Sequence, residues 1–133
     1  MSSGKGSMYS ILVRQKLNTK SSAEAKLVGV DDAMPMALWT RYFLKTQGYK
    51  AANNKMYQDN MSSMLMEKNG RASSGKQTRH INMRCFFVAD RIRSQEVSLE
   101  HCPTDEMVAD CFTKPLQGMT FCKFRKAMLN LDD

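Results

Sequence analysis

The stretch Met56-Tyr57-Gln58-Asp59-Asn60 decides how this chain is read. A short apolar and aromatic run stops at a carboxylate, and a helical run, Met61 to Lys68, follows at once. In an open α/β sheet, ligands and catalytic groups gather where a strand hands over to a helix. Asp59 stands where such a site puts a catalytic or metal-binding group. Asp59 and Asn60 also stand where a helix needs a side-chain cap, a role both residue types favour. Local sequence leaves both roles open.

Working towards the N-terminus, Ser21-Ser22-Ala23-Glu24 is a capping box and opens a helix. Its apolar stripe is Ala23, Leu27, Val30, Met34, Ala37 and Leu38, at helical period. Pro35 is expected to kink or split it, Trp39, Tyr42, Phe43 and Leu44 belong to its second part, and Gly48 is a stop. Lys26 falls on or beside the buried stripe. It either snorkels at the rim or takes a carboxylate partner. Before the helix, Met8 to Val13 is rich in aromatic and β-branched residues and reads as a strand. Residues 1–7 are rich in Gly and Ser and read as a flexible N-terminus.

Working towards the C-terminus, Arg71-Ala72-Ser73-Ser74-Gly75-Lys76-Gln77-Thr78-Arg79 is a basic, exposed loop. His80 to Ser94 is helical, with Ile81, Cys85, Val88 and Ile92 on one face and Arg79, Arg84, Arg91 and Arg93 flanking it. Glu96 to His101 alternates polar and apolar as a strand does. Thr104-Asp105-Glu106 opens a short helix with Met107, Val108, Cys111 and Phe112 on its apolar side. Asp110 sits in its middle, where an Asp is locally unfavourable. Gln117 to Leu129 is a last amphipathic helix, with Phe121, Phe124, Met128 and Leu129 inside. Strand, helix, strand, helix, helix, strand, helix, helix is an α/β layered order.

A length of 133 residues suits one domain, here residues 1–133. Hydrophobic content of 42% and charged content of 25% are those of a globular protein. Twelve Met, several at helical spacing, read as core filler rather than metal ligands. The net charge of +7 favours a polyanion such as nucleic acid, since the basic residues cluster between Arg71 and Arg93, although a solvated basic face has the same composition. The four Cys form no CxxC and no zinc spacing, and His80 and His101 add none. With no signal peptide and no membrane-length apolar run, reduced, buried thiols in a cytoplasmic or nuclear protein are expected.

Several stretches resemble, in order, the ribonuclease H domain of copia-type retrotransposon polyproteins. They are Lys16-Leu17-Asn18-Thr19-Lys20-Ser21-Ser22-Ala23-Glu24-Ala25, Tyr57-Gln58-Asp59-Asn60, and Thr78-Arg79-His80-Ile81-Asn82-Met83-Arg84. Glu100-His101-Cys102-Pro103-Thr104 and Val108-Ala109-Asp110-Cys111-Phe112-Thr113-Lys114-Pro115-Leu116 complete the set. The resemblance implies a ribonuclease H-like layered fold. It implies metal-dependent hydrolysis of RNA in RNA–DNA hybrids, with four carboxylates holding two Mg²⁺ ions on the scissile phosphate. It also implies reverse transcriptase as the upstream neighbour. By this resemblance Asp59 and Asp110 match two of the acids, as catalytic and metal-binding residues. Lys26 occupies the position of a third, a Glu, and Glu24 matches only the capping Glu. Met8 to Val13 matches the family's third strand. The chain is therefore expected to lack the first two strands of a five-stranded mixed sheet, and the first acid with them. A degenerate domain that does not hold the family's two Mg²⁺ ions productively and leaves hybrids uncut is the expectation. One alternative is a non-catalytic nucleic-acid-binding module using residues 71–93, with Arg71, Lys76, Arg79 and Arg84 as contacts. Another is a nuclease completed by an acid from a partner or an upstream segment.

Overall fold

A computed structural model describes residues 1–2, 4–51, 53–70 and 79–131. Helix α1 spans Ser22–Thr46, strand β1 Asn54–Gln58, helix α2 Met61–Asn69, helix α3 Arg79–Arg93, strand β2 Val97–His101 and helix α4 Gly118–Leu129. Two 3₁₀ turns, Thr104–Glu106 and Val108–Phe112, lie between β2 and α4. Among the described residues this is a mixed α/β protein with four helices and a two-stranded parallel sheet. The chain divides into two units, Gln15–Cys102 and the pair of segments Met1–Arg14 and Pro103–Asp133.

In the Gln15–Cys102 unit, α1 starts at the expected cap, Ser21, with the Glu24 carboxylate reaching back one residue beyond it. The Ser21 hydroxyl accepts from the Glu24 N–H, and the Glu24 carboxylate accepts from the Lys20 N–H at 2.7 Å. The expected stripe is buried at Ala23, Leu27, Val30, Met34 and Leu38, with Val28 and Glu24 added. Pro35 does not split the helix, which runs unbroken from Ser22 to Thr46. It does withhold one backbone donor. Met34 and Leu38 on either side of it are buried, so packing outweighs the local penalty. Trp39 and Phe43 stack on each other, 5.4 Å between ring centroids, and both stay exposed.

β1 and β2 pair in register from Asn54↔Val97 to Gln58↔His101. Parallel neighbours need a crossover, and the segment holding α2 and α3 supplies it. Leu27, Met34 and Leu38 of α1, Ile81, Cys85 and Val88 of α3, and Val97 of β2 form one apolar cluster, with Met56 and Met66 packed against it. Helix α2 ends at Gly70, whose φ of +69° is the left-handed cap that glycine adopts at least cost.

In the other unit, Met8 to Val13 forms no strand, contrary to the expectation from its composition. β-propensity is realised through cross-strand neighbours, and none is present among the described residues. Instead the N-terminal amine donates to the Tyr9 carbonyl and the Ser7 N–H to the Met128 carbonyl. The helix expected after Thr104 is also corrected. The N–H groups of Glu106, Met107, Asp110 and Thr113 donate three residues back, giving two 3₁₀ turns. Pro103 and Pro115 bracket too short a segment for a stable α-helix, and Asp105, Val108 and Asp110 favour one weakly. In α4 only Phe124 of the four expected inward residues is fully buried; Met128 is half-buried, and Phe121 and Leu129 are exposed.

Candidate functional site

The alternatives at the end of β1 separate cleanly. Asn60 is the cap of α2: its Oδ1 accepts from the Ser63 N–H at 3.0 Å. Asp59 is therefore free of that duty, and its carboxylate instead receives the Lys26 ammonium from the second turn of α1. The Asp59 side chain is 12% exposed and that of Lys26 37%. Lys26 thus takes a carboxylate partner rather than ending in solvent, as its place beside the buried stripe allowed.

Gln58 shapes the turn that presents Asp59. It is buried at the last position of β1. Its Oε1 accepts from the N–H of Asp59 at 3.1 Å and of Asn60 at 3.4 Å, and its Nε2 donates to the Glu67 carboxylate at 3.4 Å. Sequence reasoning missed this role. Period-two alternation would have found it, since Gln58 shares a strand face with Met56.

Asp110 belongs to the other unit and lies in the Val108–Phe112 turn. Its Oδ2 accepts from the Lys114 ammonium at 2.5 Å, an i,i+4 pair readable from sequence spacing and overlooked. Each of the two acids singled out from sequence therefore carries its own lysine.

The resemblance implies two divalent ions held between carboxylates. Hard cations need several carboxylate oxygens turned to one point. The Asp59 carboxylate faces an ammonium, and no group of three or more His, Cys, Asp or Glu gathers around a possible ion among the described residues.

Of the expected nucleic-acid contacts, Arg71 and Lys76 lie outside the described residues, and Arg79 opens α3. Arg84 is already held: its guanidinium donates to Asp31 at 2.5 Å and Asp32 at 2.7 Å, tying α3 to α1. Burial keeps the Asp31 carboxyl above its ordinary value despite Arg84. Arg91 likewise pairs with Glu96 at 2.8 Å, and Glu96 also accepts from the Tyr42 hydroxyl.

No family model matches the chain, and no solved structure matches it. No helix among the described residues is long and apolar enough to cross a membrane.

Proposed function

We propose that this chain is a degenerate retroelement ribonuclease H domain that does not cleave RNA–DNA hybrids. The observation that carries the reading is the Lys26–Asp59 ion pair at the end of β1. Two-metal hydrolysis needs carboxylates whose lone pairs are free for the ions. An ammonium on Asp59 occupies that coordination space and adds like charge where a cation would enter. Asp110 is paired in the same way with Lys114. The ordered sequence stretches, and a strand end turning directly into a capped helix at Asp59-Asn60, support the family assignment.

The test is a cleavage assay on a hybrid duplex with Mg²⁺ or Mn²⁺. No turnover is expected. Turnover abolished by Asp59→Asn would overturn the reading. Lys26→Glu alone is expected to restore nothing, because one recovered carboxylate still leaves the set short of four. Cleavage that appears only when an upstream polyprotein segment is added in trans would instead favour a nuclease completed by a partner.

A second reading, a nucleic-acid-binding module without chemistry, draws on the net charge of +7 and on exposed Arg93 at the end of α3. The engagement of Arg84 and Arg91 by carboxylates weighs against it, since those arginines are not free for phosphates. Tight hybrid binding that weakens steeply with salt, without cleavage, would favour this reading over the first.

A further inference from the structure

Glu67, on α2, is fully buried, at 0% exposure. Its Oε1 accepts from the Ser63 hydroxyl at 2.8 Å and from Gln58 Nε2 at 3.4 Å, while Oε2 has no hydrogen-bond partner among the described residues. Helix α2 packs against α1, α3, β1 and β2. The groups around this core are neutral or acidic apart from Arg84 of α3, whose charge is taken up by Asp31 and Asp32. From β1 comes the Gln58 amide, from α3 the Cys85 thiol, and from α1 buried Glu24 and half-buried Asp31, both of which act on Cys85 as Glu67 does. Neither strand presents a charge that acts on Glu67, and no cation offsets its burial. An ionised carboxylate with one bare oxygen in such a place is far costlier than the neutral acid.

Gln58 connects this group to the strand end. One end of its amide donates to Glu67, and the other accepts from the N–H groups of Asp59 and Asn60. Ser63, the second donor to Glu67, is also the residue whose N–H is capped by Asn60. We propose that Glu67 is held as the neutral acid in the folded chain, and that its ionisation is a pH-operated release of the turn carrying Asp59. On ionising, the carboxylate must reach water. It does so only by drawing α2 away from its neighbours, and the Gln58 and Ser63 bonds that set the Asp59-Asn60 turn go with it.

The direction in pH follows from burial, which raises the Glu67 value above the ordinary glutamate range. The stability it contributes is complete at and below that ordinary range, and is lost as pH rises through the raised folded value. The Cys85 thiol, pushed up to about 11, ionises in a separate, higher window.

The experiment compares the full chain with Glu67→Gln by thermal melts across pH, and follows the Asp59 and Asn60 amide resonances. The wild-type midpoint is expected to fall by roughly 5 °C between mildly acidic and mildly alkaline solution, relative to the variant over the same window. The Asp59 and Asn60 amides are expected to titrate together, with a midpoint above the ordinary glutamate range, and to lose that titration in Glu67→Gln. Equal pH slopes in the two proteins, or wild-type amides that do not move, would overturn the proposal. If Glu67→Gln does not fold, Ser63→Ala serves. It removes a donor that favours the ionised form, so the titration midpoint should rise; an unchanged or lowered midpoint would also overturn the proposal.

Discussion

Lys26 and Asp59 meet at the edge of solvent, the lysine 37% exposed and the aspartate 12%. A pair that open is screened, so its worth to stability is small. A double-mutant cycle of Lys26→Ala and Asp59→Asn, read by urea unfolding, is expected to give a coupling of about 0.5–1 kcal/mol that shrinks with added salt. A coupling of several kcal/mol would mean that the pair is dry. Much of this site was legible from residues alone. Lys26 sits three residues beyond Ala23 in the helical stripe, so a carboxylate partner was one of two readings. Which carboxylate it meets was not legible, because the contact joins residues 33 apart in sequence. The division of labour between Asp59 and Asn60 was equally hidden. Both residue types cap helices, and only the backbone path past Gln58 selects one.

At the scale of the element, the cap assignment separates two substitutions that look alike on paper. Asn60→Ala is expected to cost about 1 kcal/mol by removing the acceptor for the Ser63 N–H, whereas Asp59→Ala leaves the cap intact. Chemical denaturation of both variants at high salt, where the Lys26–Asp59 pair is screened, checks this, and equal losses there would contradict the assignment. At the other end of α2, Gly70 has φ +69°, and a Cβ there would lie 3.3 Å from the Ala89 Cβ. Gly70→Ala is therefore expected to lower stability by about 1 kcal/mol or more, measured in the same way. Helix limits were readable to within a residue or two, since the capping box and apolar period mark α1, and a capping residue type and a stop glycine bound α2. The segment after Pro103 was misread because the helical period of Met107, Val108 and Cys111 says nothing about propagation. Between two prolines the backbone settles for three-residue hydrogen bonds.

For the whole molecule, the run Ile11, Leu12 and Val13 is exposed at 60%, 62% and 66%. It has the composition of a strand and no strand beside it among the described residues. Such runs invite pairing between copies. Concentration-dependent self-association is expected in sedimentation, and Leu12→Lys should suppress it while changing stability by less than about 0.5 kcal/mol. A monomer at all concentrations would contradict this. By contrast Met34→Ala, at the fully buried centre of the α1 stripe, is expected to cost about 2–5 kcal/mol. The α/β class and the core face of α1 were legible because periodicity reports burial directly. The fate of Met8 to Val13 was not, because a strand depends on a neighbour that local sequence does not supply.

The most direct measurement is a titration of the folded chain with Mn²⁺, observing paramagnetic broadening of the Asp59 and Asn60 amides. With Lys26 on the Asp59 carboxylate, no saturable broadening centred on Asp59 is expected at equimolar metal. Broadening that saturates at Asp59 and disappears in Asp59→Asn would show that the carboxylate still takes a divalent ion, and would contradict the reading of this chain as a domain that has lost its metal site.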